Sequence, residues 1–86
     1  MKVFDWDEKK NISNIKKHGI AFEDASLVFL DPICVEIFDV EHSRAHEDRW
    51  KAFGMVNRVL MVSFTERYGT IWIISARRAT VTLRVT

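Results

Sequence analysis

Three strand-like stretches, the last two strongly apolar and the first weaker, stand almost end to end in the second half of the chain, and few folds besides an antiparallel sheet accommodate them. They occupy residues 49–56, 59–65 and 70–76, separated only by Asn57-Arg58 and by residues 66–69. Connections that short join antiparallel neighbours, because a parallel crossover needs about a dozen residues or more. The middle stretch is nearly continuous in apolar residues, as a central strand should be. The first is interrupted by Gly54. Upstream, residues 33–40 read as a fourth strand, with Ile33, Val35 and Ile37 alternating onto one face. A polar loop, residues 41–48, leads from it into the meander.

The first third has a different period. Asp5 and Asp7 are both plausible N-caps, and Glu8 suits a first turn. Residues 8–18 form an expected helix with a narrow buried stripe of Ile12 and Ile15, and Ile20 covers its end. Lys16, Lys17 and His18 suit the negative end of its dipole, and Gly19 stops it. A second helix is expected over residues 22–30, with Phe22, Ala25, Ser26 and Phe29 on one face. Asp31-Pro32 ends it, since the residue before proline is pushed out of the helical region. Residues 2–5 are a short extended segment. The expected fold is therefore α+β in the order β-α-α-β-β-β-β, an antiparallel sheet with two helices packed on one face, all within a single domain of residues 1–86.

Composition narrows the function classes. Thirteen basic against 12 acidic side chains give a net charge of +1, so a polyanion would have to be met by a local patch rather than by bulk charge. One cysteine, Cys34, excludes an internal disulfide and signals no zinc site, which fits a cytoplasmic protein. Cys34 reads as a packing residue in an apolar strand. The N-terminal MKVFDWDEKK carries no signal-peptide core, and the apolar runs are too short to span a membrane. No P-loop, zinc or dinucleotide motif is present.

The stretch Ile73 to Thr80, IISARRAT, ends a core strand in two adjacent arginines. Strict alternation puts Ile71, Ile73, Ser75 and Arg77 on one face, and Trp72, Ile74 and Ala76 on the other. Arg78 then points opposite Arg77.

Four pieces in order, WDEKKNISNIKKHGIAFEDA, VFLDP, HSRAHEDRWKAFG and VSFTER…IISARRAT, resemble the BrnT family, ribonuclease toxins of BrnT–BrnA toxin–antitoxin modules. The resemblance runs from about Val3 to Thr80. It implies a compact fold similar to RelE-type toxins, RNA cleavage without a metal or other cofactor, inhibition of translation, and neutralisation by a BrnA-like antitoxin with a ribbon-helix-helix DNA-binding region, so that contact with DNA is indirect. The family continues after SARRAT into a charged helix. Residues 81–86, VTLRVT, alternate like a strand instead, so that C-terminal helix is expected to be missing or altered.

Metal-independent cleavage needs a base for the ribose 2′-hydroxyl, an acid for the departing 5′-oxygen, and fixed positive donors for the phosphorane-like transition state. Arginine suits the last role because its planar fork holds two phosphate oxygens. Arg77 is the leading candidate, against a plain salt bridge to Glu23 or Asp24. Arg67 in the FTER turn is a second, against a solvated turn charge. His42, His46 and Glu47 share a polar loop and are acid–base candidates. His18 is another, against a simple dipole partner at a helix end. Lys16, Lys17, Arg49 and Arg78 are expected RNA contacts, within a basic helix that also bears Lys9 and Lys10. Trp6, Trp50 and Trp72 read as core or interface anchors rather than base-stacking platforms. The rival function is a catalytically inactive toxin-like module that serves only as antitoxin partner and co-repressor.

Overall fold

The structure, a computed structural model, describes residues 2–80; the expected change at residues 81–86 lies outside them. The elements are β1 (Val3–Trp6), α1 (Glu8–His18), α2 (Phe22–Ala25), β2 (Val35–Phe38), β3 (Arg49–Val56), β4 (Arg58–Arg67) and β5 (Thr70–Arg78), with a 3₁₀ segment, Ser26–Leu30, continuing α2. The five strands form one sheet in the order β1-β5-β4-β3-β2. β2 to β5 are an antiparallel meander as expected. β1, however, pairs with β5 in parallel, Val3 opposite Thr70 and Trp6 opposite Ile73. The sheet is therefore mixed: the helices carry the chain across one face, from β1 at one edge to β2 at the other. Among the described residues no helix is long and apolar enough to cross a membrane.

The covered face holds the core. Phe22, Ala25, Val28 and Phe29 pack onto Ala52, Leu60, Val62, Phe64, Ile71, Ile73 and Ala76. Phe29 meets Phe64 edge-on at 5.0 Å between ring centroids, a favoured aromatic geometry. The expected second helix tightens into 3₁₀ geometry after Ala25, and this segment packs closely against β3. A Cβ on Gly54 would lie 2.8 Å from both the carbonyl oxygen and Cγ1 of Val28. Gly54 thus admits a crossing backbone instead of weakening the strand without return.

α1 has the expected bounds. Asp7 Oδ1 accepts from the Lys9 amide at 2.9 Å, and Gly19 closes the helix at φ 70°. Its buried stripe is not the expected one. Ile12 and Ile15 are 51% and 44% exposed, while Asn11 and Asn14 are 1% and 5% exposed. The reason is backbone satisfaction. β1 stops pairing at Ile73, so the outer edge of β5 beyond that point lacks a strand neighbour among the described residues. Asn14 takes its place: its Nδ2 donates to the Ala76 carbonyl at 2.8 Å, and its Oδ1 accepts from the Ala76 amide at 3.1 Å. Asn14 Nδ2 also donates to the Ile20 carbonyl at 2.9 Å. Asn11 accepts from the Phe22 amide at 2.8 Å, satisfying an orphan donor at the start of α2. An isoleucine at either position would leave those groups buried and unpaired.

β5 also departs from strict alternation. Ser63 pairs with Ser75 but Phe64 pairs with Ile73, so Ile74 is an extra residue in a β-bulge. Ile71, Ile73 and Ala76 consequently share the covered face. The expected common face of Ile71, Ile73, Ser75 and Arg77 is broken at the bulge, which leaves Ser75 and Arg77 together on the open face.

Candidate active site

On the open face, registered positions build a polar floor. Ser75, Ser63 and Lys51 lie side by side on β5, β4 and β3, spanning about 10 Å at the usual strand spacing. Arg77 is two residues further along β5, and Arg49 is two residues back along β3. Beside this floor, the turn after β2 adds Asp39 and His42. Together with Met61 and Ile74 these residues line a cleft of about 240 Å³.

The turn is held from several directions. The Asp39 amide donates to the Arg49 carbonyl at 2.8 Å. Ser43 Oγ donates to the Asp39 carbonyl at 2.7 Å and accepts from the Arg49 amide at 2.9 Å. The buried Asp39 carboxylate lies 2.8 Å from His42 Nδ1. Burial opposes its ionisation, yet hydrogen bonds from the His42 side chain and amide, with the charges of His42 and Lys51, hold it below the ordinary carboxylate range. An ionised carboxylate on Nδ1 fixes that nitrogen as the donor and leaves Nε2 available to accept a proton; the ring itself is 55% exposed.

The cleft is electropositive. Arg49, Lys51 and Arg77 face a single carboxylate, Asp39. Arg77 forms no ion pair among the described residues, so the bridge to Glu23 or Asp24 is not made. Arg49 has a buried Nε–H with no acceptor among them, a costly state unless an anion completes it.

Of the expected residues, Arg77, His42 and Arg49 converge here. Arg67 and Glu47 do not line the cleft: they bond to each other at 3.2 Å beside it, and the Arg67 guanidinium lies over the Trp72 ring at 4.7 Å. Glu47 also lies 4.0 Å from Arg49. His46 lines a separate polar depression with Glu47, Asp48, Trp50 and Glu66. His18 and Arg78 lie together in a depression on the covered side with Asp24 and Arg58. Lys17 joins His18 in a further one along α1, and Lys16 lines none of these four. Cys34 is half-buried against the core, where burial raises its thiol pKa.

Lys51, Ser63 and Asp39 were missed. The signal for Lys51 was available: it stands two residues from Arg49 in a strand and so must share its face. The Asp39-x-x-His42 spacing within a turn was the signal for the carboxylate–imidazole pair.

The family model described as "Ribonuclease toxin, BrnT, of type II toxin-antitoxin system" matches residues 6–82. Among solved structures, the 1.1 Å crystal structure of the Brucella abortus ribonuclease toxin BrnT is similar to this chain with a TM-score of 0.67 and 32% sequence identity, over 94% of this chain and 99% of that one. No curated protein matches significantly. With nearly its whole described length matched in sequence and in fold, the chain belongs to the BrnT family of ribonuclease toxins of type II toxin–antitoxin systems.

Proposed function

We infer that this chain is a metal-independent endoribonuclease whose RNA phosphate sits in the cleft between His42 and Arg77. The observation that carries this reading is the pairing of His42 Nδ1 with the buried Asp39 carboxylate at 2.8 Å, at the mouth of a cleft bearing three cations. His42 Nε2 takes the proton of the 2′-hydroxyl. The 2′-oxygen bonds to phosphorus, the bond to the 5′-oxygen breaks, and that oxygen takes a proton, with Lys51 the candidate donor. The products are a 2′,3′-cyclic phosphate and a free 5′-hydroxyl. Arg77, Arg49 and Lys51 offset the charge on the phosphorane-like transition state, the task a metal performs elsewhere. Arg67 and Glu47 act from outside the cleft by holding Arg49 and the loop in place.

Cleavage of cellular RNA would inhibit translation in the cytoplasm, and a BrnA-like ribbon-helix-helix antitoxin would silence it. The exposed apolar side chains in and flanking β2, an edge strand among the described residues, Ile33, Val35, Ile37 and Val40, support a protein partner of that kind, since clustered exposed apolar residues mark interaction sites.

Antitoxin-free protein incubated with single-stranded RNA in excess chelator should yield cyclic-phosphate ends. His42→Gln and Arg77→Ala should each lower the rate about 10²–10³-fold, and Arg77→Ala should do so without shifting the thermal midpoint. If Arg77→Ala cuts RNA as fast as the parent, the assignment is wrong, and a parent that binds RNA without cutting it leaves the inert-partner role.

A further inference from the structure

The bulge in β5 has two sides. Ile74 and Ser75 line the cleft, and the same two residues line a second depression of about 260 Å³ whose other wall is α1. That wall presents Lys10, Ser13, Lys17 and His18. Lys10, Ser13 and Lys17 recur at three- and four-residue spacing and so share one helical face with Asn14. Asn14, bonded to Ala76 on β5, holds that face against the sheet. Among the described residues, Lys10 and Lys17 form no ion pair and no carboxylate lines the depression. The two positive depressions therefore meet at Ser75 and form one track, bent around the edge of the sheet.

We propose that this α1 depression is a second phosphate subsite that holds the flank of the same RNA strand whose scissile phosphate occupies the cleft. The proposal rests on the ribonuclease reading for the identity of the ligand. Lys10 and Lys17 supply charge to a neighbouring phosphate, and the Ser13 and Ser75 hydroxyls are positioned as donors between the two subsites. Lys9 and Lys16 have the same spacing on an adjacent helix face but line neither depression, which makes them an internal control.

The test is binding of uncleavable 2′-O-methyl RNA of about 12 nucleotides, within the range of known single-strand sites, as a function of salt. Each phosphate contact contributes about 0.7 to the slope of log K against log salt on a single strand, so Lys10→Ala/Lys17→Ala should reduce the slope by about 1.4. Lys9→Ala/Lys16→Ala should change it much less. Cleavage of a dinucleotide, which has no second phosphate to place on α1, should be slowed far less than cleavage of the longer strand in Lys10→Ala/Lys17→Ala, and equal slowing of both substrates would overturn the proposal. An unchanged slope for Lys10→Ala/Lys17→Ala overturns the proposal, as does an equal loss in the control pair, which would show unlocalised attraction to a basic helix. If the parent cuts no RNA but the slope falls as stated, the ribonuclease reading fails and the subsite stands.

Discussion

The two faces of this sheet are made from the same strands and answer to different demands. The covered face is an apolar core in which two asparagines complete the backbone hydrogen bonding. The open face carries three cations, two serines and a carboxylate–imidazole pair around an open cleft. On the covered face Asn11 and Asn14 are fully engaged by backbone and carboxylate partners; on the open face a buried Arg49 N–H has none among the described residues. Apolar packing is concentrated on one side and cationic and titratable groups on the other, so substitutions on the two sides should separate into two kinds of loss.

The largest break in that division should come from Asn14→Leu. It leaves the Ala76 amide and carbonyl and the Ile20 carbonyl unpaired, and stability should fall by about 3 kcal/mol, read by denaturant unfolding. A variant as stable as the parent would refute the role of Asn14 as a stand-in for a strand. Gly54→Ala should come next, at about 1–2 kcal/mol, because its Cβ meets the Val28 backbone. RNA affinity of the remaining folded protein should be unchanged, and a loss of affinity without a loss of stability would blur the two faces.

The smallest effect sharpens the comparison, because Asp39 serves both sides. Its folded carboxyl titrates below its ordinary value. The stability it contributes is therefore fully present above the ordinary value of about 3.9 and disappears as pH falls through the lowered one. Thermal midpoints followed down to about pH 2.5 should decline less steeply on the acid side in Asp39→Asn than in the parent over that carboxylate range. Parallel profiles would mean that Asp39 orders the cleft without stabilising the fold.

Features set by neighbouring residues were legible in the sequence. The bounds of α1 follow from Asp7 and Gly19, and those of the meander from its short turns. Features set by distant partners were not. Isoleucines looked like the buried stripe of α1 because nothing local announces that Ala76, 62 residues beyond Asn14, needs a donor and an acceptor. The parallel seat of β1 is equally remote. The bulge at Ile74 changed which residues accompany Arg77 but left Ser75 beside it. In the site, His42 was legible as a titratable group in a polar loop, whereas Arg67 was drawn out of reach by Glu47 and Trp72, partners from other segments.

Asn14 has a consequence for Arg77. An edge strand is ordinarily free to fray, yet the residue before Arg77 is clasped by Asn14 on one side and faces Val62 on the other. The guanidinium therefore starts from a backbone already fixed, and ordering it on any anion would cost the entropy of one side chain rather than that of a strand end. A helix that lines no part of the cleft keeps the arginine's anchor still.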